Sequence, residues 1–441
     1  MKKKKIVALL AAAAMFVTMG TGCMTTKATD GTGSESGNGK TEITFYTYNL
    51  SVASHKEAVQ KLIDDFNAQS DTVHVTGVAA DVMSLQTKIQ SDYAAGQTFD
   101  VVQCALNQVG YYVENYKLPS FEDVAGQDAF DAHMEGFAEN AKTLGQYSDG
   151  KTYVLPYTFS TPMLYYNADL FRKAGLDPDA PIETWEDVKK CGTALKAAGY
   201  EGVHITATTA TGDGSDWLTQ AMIYSNGGDV MNADHTEVTF NDPNTVGAIQ
   251  TWQDLVKSGA HSNYTDTEAL EAFLAGNQGM LVTPSAFESG FISAAESGGW
   301  ELRAVGFPSF GEKEAIPTNS GSGLCIMSSD PEKQKAAWEF IKYVTSAEGY
   351  TTITSMMGYL PLRPAIVDDE KYLKSWAEEH PFVRTNLSQL NRLRRWEGFP
   401  GMNGGQISTL LNQTVTKCIF SDCDVAAEMQ KLQDQAQDLM P

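Results

Sequence analysis

The 441-residue sequence is poor in cysteine, and its histidines do not group. Five cysteines follow residue 23 (Cys104, Cys191, Cys325, Cys418 and Cys423), too few for a disulfide framework in so long a chain. Cys418 and Cys423 are close enough in sequence for one local disulfide, with two structural thiols as the alternative. The seven histidines lack the spacing of metal ligands, so we expect neither a metal site nor a cofactor.

Positive charge is also scarce. Lysine and arginine total 32 against 55 aspartates and glutamates, for a net charge of −23. A surface this acidic repels phosphate backbones, which excludes nucleic acid as a partner. The charge does not discriminate among electroneutral ligands.

Catalytic signatures are missing as well. The sequence contains no His-Glu-x-x-His helix, no Gly-x-Ser-x-Gly elbow and no Gly-x-Gly-x-x-Gly fingerprint. Residues 145–152 match a phosphate-binding P-loop letter for letter, yet helix-like residues 134–143 precede them and strand-like residues follow. A P-loop needs the reverse order, a strand before it and a helix after it. We therefore predict a turn into a strand here, and a protein that is not an enzyme.

The first 40 residues indicate export. Lys2 to Lys5 precede an apolar run over 6–19, which is shorter than the ~20 residues that a membrane-spanning helix needs. Together with the small residues before Cys23, this is typical of a cleaved secretory signal over 1–22. The Gly-Cys ending resembles a bacterial lipobox, which implies a lipid on Cys23 and a location on the outer face of the cell membrane. An ordinary signal with a coincidental cysteine is the alternative.

Residues 23–40 are rich in glycine and serine and predict a flexible linker. The remaining 41–441 are too long for one core, so two domains are expected. Apolar strands alternate with amphipathic helices along this body, which predicts an α/β fold built on parallel sheets with helices on both faces. The first such elements are strands at 43–48, 73–78 and 99–103, and helices at 54–69 and 83–93.

Three blocks of sequence carry a family resemblance: Gly150–Pro156, Met163–Leu176 and Thr184–Asp187. They resemble the signature of extracellular solute-binding proteins of the sugar ABC-importer class. Weaker agreement continues through Gly276–Met280, Trp338–Ser346 and Gly358–Arg363.

Within that family the chain is most similar to the glycerol-3-phosphate-binding branch, through Tyr359 and Gly398–Ile407. It departs from that branch at two positions. Pro400 stands where the branch has an arginine that would hold a phosphate, and Leu106 or Asn107 replaces an acidic residue. The resemblance therefore implies a neutral sugar in preference to a glycerophosphate.

The resemblance implies a two-lobed periplasmic-binding-protein-like fold of type II. Lobe I is expected at 41–148 and 308–360, and lobe II at 149–307 and 361–441. Such a monomer would capture a sugar or oligosaccharide between its lobes by hinge closure and deliver it to the permease of an ABC importer. The alternatives are a secreted carbohydrate-active enzyme, or a binding protein for glycerol phosphate or another polar solute.

Sugar sites combine aromatic platforms with a few oriented polar groups. Trp217, in a loop entering a helix, matches a family position that stacks on ligand, with a core tryptophan as the alternative; Trp338 we assign to the core. For glycines the alternative is simple turn geometry. The expected ligand-binding residues are Tyr48, Asn107, Ser160, Trp217, Ser285, Gly321, Tyr359, Trp396 and Asn403.

The lipid anchor can be tested directly. A Cys23→Ser variant should appear in the culture medium, because a soluble acidic body would have no other attachment. Metabolic labelling with a fatty-acid probe checks the wild type, and unlabelled wild-type protein would contradict the anchor.

Overall fold

The computed structural model describes residues 39–81, 84–206 and 216–441. The predicted signal over 1–22, Cys23 and the linker as far as residue 38 lie outside the described residues. Within the described ranges, no helix combines the length and the apolar character that crossing a bilayer requires.

Nine strands are found in the described residues: β1 (Thr41–Thr47), β2 (Val73–Ala79), β3 (Val101–Ala105), β4 (Leu155–Ser160), β5 (Pro162–Asn167), β6 (Glu201–Ile205), β7 (Gln278–Pro284), β8 (Leu302–Gly306) and β9 (Ser320–Ile326). The α-helices of the same residues are α1 (Lys56–Gln69), α2 (Leu85–Ala94), α3 (Val109–Tyr116), α4 (Phe121–Ala125), α5 (Gln127–Met134), α6 (Ala168–Lys173), α7 (Trp185–Ala197), α8 (Trp217–Ser225), α9 (Pro243–Lys257), α10 (Asp266–Leu274), α11 (Glu288–Gly298), α12 (Pro331–Val344), α13 (Ala347–Met357), α14 (Lys374–Glu379), α15 (Val383–Ser388), α16 (Gly404–Phe420) and α17 (Val425–Gln437).

The strands form two sheets, and each sheet is the centre of one lobe. Lobe I contains a five-stranded sheet in the order β2-β1-β3-β9-β4, and lobe II a four-stranded sheet in the order β6-β7-β5-β8. The α/β, two-lobed expectation is confirmed, but the sheets are not wholly parallel. In lobe I, β1 pairs in parallel with β2 and β3, whereas β9 is antiparallel to β3 and β4. The chain leaves lobe I at the end of β4 and returns to it at the start of β9, so this antiparallel pair lies where the chain passes between the lobes.

Local sequence accounts for the helices that cover these sheets. In α1, Ala58, Leu62, Ile63 and Phe66 recur at helical spacing and are buried against lobe I, as the sequence predicts. Helix α7 begins with a capping box, in which the hydroxyl of Thr184 and the carboxylate of Asp187 each bond the other residue's backbone N–H.

The lobe boundaries differ from those expected in three places. Residues 308–316 were expected in lobe I, yet Phe310, Ala315 and Ile316 pack with the lobe II core. Residues 149–160 were expected in lobe II, yet β4 pairs with β9 in the lobe I sheet because its buried face packs on the lobe I core. Residues from 361 onward were also expected in lobe II, but Leu362, Leu373 and Leu393 belong to the lobe I core. The change to the lobe II core comes at Trp396.

The chain therefore crosses between the lobes at Thr161, at 316–320 and at 394–396. The crossings are bonded to one another. The Ser160 and Ser320 hydroxyls lie 2.8 Å apart, the Arg394 N–H donates to the Pro317 carbonyl at 2.9 Å, and the Trp396 N–H donates to Asn319 Oδ1 at 2.9 Å. Ser285 N–H donates to the Thr161 carbonyl at 3.0 Å. These contacts define the hinge.

The P-loop-like segment is a turn that leads into a strand, as predicted. Gln146 and Thr152 form an antiparallel bridge, and Gly150 takes the positive φ of 79° that closes the turn. The Lys151 ammonium is bound by both oxygens of Asp123 at 2.8 Å, so it is not available to a phosphate.

The cysteines are free thiols in the described residues. The side chains of Cys418 and Cys423 nevertheless interact. Burial, followed by the charge and the hydrogen bond of the Cys423 thiol, raises the pKa of Cys418 to about 12. The two thiols that the sequence could pair are therefore neighbours, but they are not joined in a disulfide.

Glu288, the first residue of α11, is a buried acid beside the hinge. It is 6% exposed, its Oε2 accepts the Tyr165 hydroxyl at 3.2 Å, and its Oε1 has no hydrogen-bond partner in the described residues. Burial raises the pKa of Glu288 to about 8, so the carboxyl is mostly protonated at neutral pH.

This acid should make the protein less stable as the pH rises. The folded state retains a proton that the unfolded chain releases above pH ~4.5, so stability is lost between about pH 4.5 and 8. Glu288→Gln should flatten that slope and raise the free energy of unfolding at pH 7 by roughly 1–3 kcal/mol. Denaturant titrations at several pH values measure both, with the exposed Glu296→Gln on the same helix as control. Equal slopes for wild type and Glu288→Gln would contradict the buried-acid interpretation.

Candidate functional site

A cleft of about 1050 Å³ separates the two lobes. Its lobe I wall consists of Gln86 and Gln90 of α2, residues 106–111 with Glu114, and residues from 139 to 148. Its lobe II wall consists of residues 233–235 and of residues from 396 to 408, and residues 393–395, where the chain reaches the crossing, also border it. The lobe I wall after β3 lies at the carboxyl end of a parallel strand, where open α/β sheets place their ligand sites.

Two of the expected ligand-binding residues line this cleft, Asn107 and Trp396. Asn107 lies in the 3-10 turn Leu106–Gln108 that follows β3, and its Oδ1 is buried without a hydrogen-bond donor among the described residues. Its backbone also sets the spacing of the walls, because a Cβ on Gly398 of lobe II would lie 1.9 Å from the Asn107 carbonyl oxygen. Glycine at position 398 therefore permits the lobes to approach at this point.

Trp396 is held in a fixed orientation by buried partners. Its Nε1–H donates to Asp216 Oδ1 at 2.7 Å, and the Gln220 side chain donates to Asp216 Oδ2 at 3.1 Å. Gln220 in turn bonds both the N–H and the carbonyl of Glu397. An indole that is locked in this way can act as a rigid platform, since its orientation does not have to be fixed when a ligand binds.

Trp217, expected to be the stacking platform, lies elsewhere. It begins α8, all nine residues of which are buried, and its own side chain is part of the lobe II core. It is as little exposed as Trp396, at 6% against 7%, but it does not border the cleft. The physical reason is that α8 has no solvent face, so its first side chain packs inward. Residues 213–215 of the predicted loop lie outside the described residues.

Five other expected residues do not line the cleft: three lie at the hinge and two lie against the lobe I core. Ser160 and Ser285 are buried and make the hinge contacts given above. Gly321 has a φ of 115°, and a Cβ there would lie 2.0 Å from the Thr158 carbonyl oxygen, so backbone geometry explains this glycine. Tyr48 and Tyr359 are half-buried against the lobe I core, and burial is the main cause of a raised pKa for the Tyr359 hydroxyl.

Asn403, the ninth expected residue, turns its side chain away from the cleft. Its Nδ2 donates to the Leu439 carbonyl at 3.2 Å, while its neighbours Met402 and Gly404 line the cavity. Pro400 also lines the cleft. The position at which the resemblance implies an arginine in the glycerol-3-phosphate branch is therefore part of the wall.

The cations of the cleft wall are already paired. Arg394 binds Asp229 at 2.6 Å and lies 3.8 Å above the Tyr224 ring, and Arg395 binds Glu397 at 2.8 Å. Four carboxylates (Glu114, Glu139, Asp234 and Glu397) line the same cavity as these two arginines. A phosphate would have to displace existing partners, whereas a neutral ligand would not.

Side-chain amides and tyrosines make up much of the remaining surface. The amides are Gln86, Gln90, Asn107, Gln108, Asn140, Gln146 and Gln406. Tyr111 and Tyr147 add aromatic area on the lobe I side. Burial and a 2.9 Å hydrogen bond to Glu114 raise the pKa of Tyr147, which keeps its hydroxyl protonated. The wall therefore offers apolar faces with neutral donors and acceptors, the combination that hydroxylated rings require.

Sequence reasoning missed several of these residues. Tyr147 lies in the P-loop-like turn 145–152, whose motif gives no sign that its tyrosine lines a cleft. Asp234 and His235 lie at the tip of a turn signalled by Asn232-Ala233-Asp234. Local signals of this kind identify the turns, but they do not say that two turns from distant parts of the chain face one another.

Known proteins agree with this architecture. A family model described as bacterial extracellular solute-binding protein matches residues 61–380. The sn-glycerol-3-phosphate-binding periplasmic protein UgpB of Rhizobium meliloti is 26% identical over 298 residues, which cover 64% of this chain and 66% of the relative. UgpB of Escherichia coli K12 is 28% identical over 257 residues, 56% of this chain and 57% of the relative. The chain thus spans less than two thirds of the length of these curated relatives.

Two solved structures show the shared fold. The cyclic alpha-maltosyl-1,6-maltose binding protein from Arthrobacter globiformis has a TM-score of 0.76 at 21% identity, covering 91% of this chain and 99% of its own. UgpB from Mycobacterium tuberculosis, solved in complex with glycerophosphocholine, has a TM-score of 0.76 at 22% identity, with coverage of 90% and 98%.

The two tryptophans provide a test of the site. Trp396→Ala should weaken ligand binding at least about tenfold, because it removes the platform in the cleft wall. Trp217→Ala should instead lower the free energy of unfolding by about 3–5 kcal/mol and leave the intrinsic affinity unchanged, as a core truncation does. Calorimetric titrations and denaturant melts measure the two effects.

Trp338→Ala, in the lobe I core, is the matched control for a truncation far from the cleft. Normal binding by Trp396→Ala, together with lost binding by a stably folded Trp217→Ala, would return the platform to Trp217.

Proposed function

Because the chain belongs to the bacterial extracellular solute-binding proteins, we propose that it captures a sugar or oligosaccharide between its lobes and delivers it to the permease of an ABC importer. The observation that carries the choice of ligand is the wall of the cleft: seven side-chain amides and several aromatic rings line it, and both of its arginines are bound by carboxylates. The volume of the cavity suits more than a single small polyol.

A glycerophosphate ligand is the second candidate. It is favoured by the curated relatives named for sn-glycerol 3-phosphate and by the glycerophosphocholine complex of the mycobacterial protein. Against it stand Pro400 in the wall and the paired arginines. A zwitterion such as glycerophosphocholine fits the paired charges better than glycerol 3-phosphate does.

We further propose that the protein is a non-enzymatic monomer, tethered outside the cell through a lipid on Cys23. One cluster of lobe II resembles a nucleophilic triad, with Ser262 Oγ 3.0 Å from His204 Nδ1 and Asp266 Oδ1 2.7 Å from His204 Nε2. Ser262 and Asp266 are each 2% exposed and His204 is 1% exposed, so no substrate can reach the hydroxyl. A structural role in the core explains this cluster.

Isothermal titration against a fixed panel tests the ligand class. The panel consists of maltose, maltotriose, maltotetraose, a cyclic α-glucan, glycerol 3-phosphate and glycerophosphocholine. We expect an oligosaccharide to bind most tightly, with an affinity that is insensitive to salt, because no net ligand charge is screened. Preferential binding of glycerol 3-phosphate, weakened by salt, would establish the second candidate instead.

Closure on the ligand is measured by small-angle scattering. The radius of gyration should fall when the bound panel member reaches saturation, because the lobes rotate about the hinge crossings. An unchanged radius would contradict hinge closure.

A further inference from the structure

A short hairpin of lobe II reaches the cleft. Met231 and Val238 form its antiparallel bridge, and the side chain of Asn232 organises its turn. Asn232 Oδ1 accepts the N–H groups of Thr236 at 2.8 Å and Glu237 at 3.2 Å, and Nδ2 donates to the Thr236 hydroxyl at 2.9 Å. The turn is therefore internally bonded.

The tip of this hairpin, residues 233–235, borders the same cavity as Asn107 and Trp396. All three tip residues are exposed, and His235 has a φ of 54°. Residues other than glycine are disfavoured in that conformation, and backbone strain of this kind is concentrated at functional sites, including ligand sites. Asp234 provides a carboxylate, which can accept hydrogen bonds from two adjacent hydroxyl groups.

Two side chains of helix α17 hydrogen-bond the backbone of the hairpin. Gln437 Oε1 accepts the Val238 N–H at 3.0 Å and its Nε2 donates to the Thr236 carbonyl at 3.1 Å. Gln433 Oε1 accepts the Phe240 N–H at 2.8 Å and its Nε2 donates to the Val238 carbonyl. Two glutamine amides thus bond this edge of the hairpin as a neighbouring strand would.

The spacing explains why these two glutamines suffice. Residues four apart on a helix are separated by about 6.0 Å along its axis. Two residues of a strand span about 6.6 Å. Gln433 and Gln437 are therefore in register with the backbone from 236 to 240. A one-residue slip of the hairpin would break every one of these bonds.

We propose that the hairpin tip is a ligand-contacting clamp of lobe II, in which Asp234 binds adjacent sugar hydroxyls, and that Gln433 and Gln437 are its positioning residues. The proposal rests on the sugar-binding function above. The proposal assigns to the tip of this hairpin a contact between lobe II and the ligand that forms when the lobes close.

Variants of the tip test the contact. Asp234→Ala should weaken binding of the tightest-binding panel oligosaccharide at least about tenfold, with an unchanged melting temperature, because the side chain is exposed. His235→Gly should also weaken binding while the melting temperature stays the same or rises, since glycine relieves the positive φ. A merely structural hairpin would not separate stability from affinity in this way.

Variants of the helix test the positioning. Gln433→Leu with Gln437→Leu should weaken binding in the wild-type background and speed amide hydrogen exchange at Val238 and Phe240. In the Asp234→Ala background the same pair should have little further effect on affinity, because the residues act through the tip. Gln430→Leu is the matched control, since Gln430 bonds only the Asn241 and Asp434 side chains among the described residues.

The outcomes are distinguishable. If the wild type binds no oligosaccharide of the panel, the proposed function is wrong, and the clamp proposal, which rests on it, is wrong too. If the wild type binds and both tip variants bind equally well, only the clamp is wrong. If the double-leucine variant weakens binding as much in the Asp234→Ala background as in the wild type, the glutamines do not act through the tip.

Discussion

The structure depends on the bonding among three chain crossings between its lobes. Each crossing must keep the two cores attached, yet each must also allow the backbone rotation that closure requires. Placing the contacts at strand ends meets both demands, because the hydroxyl pair Ser160–Ser320 and the backbone bond from Arg394 to Pro317 join the crossings to one another without filling the space beside them. The cleft can then open or close while the sheets stay intact. The buried polar residues near the hinge are therefore explained by connection between lobes instead of by ligand contact.

How far the sequence predicts this molecule depends on the range of the interaction. Strands such as 73–78 and the buried face of α1 follow from local periodicity, and they are found as predicted. Strand β5 was not predicted, because it follows β4 after the single residue Thr161 and no loop marks its start. Lobe membership failed at 149–160 because a buried strand carries no mark of which sheet it will join, and pairing with β9 decides it.

The candidate site shows the same division. Asn107 and Trp396 were expected to contact ligand, and both line the cleft. Trp217 was expected there on equal grounds but does not border the cleft, because the tertiary packing of α8 sets its surroundings. Residue type, loop context and burial do not separate the two, since both indoles belong to the lobe II core. Only the position of the cavity separates them: Trp396 lies at its wall, with its indole N–H bonded to Asp216.

Charge links the site to the composition of the whole chain. An excess of 23 negative charges produces a potential that opposes anionic ligands, and a phosphate-binding protein of this composition would need unpaired cations to overcome it. The cleft instead neutralises both arginines locally, with Asp229 and Glu397, and Pro400 forms part of its wall. Each feature alone is compatible with either ligand class. Together they support the proposed hydroxylated ligand, because they remove the electrostatic attraction for a phosphate and leave shape, aromatic area and neutral hydrogen bonding in the cleft.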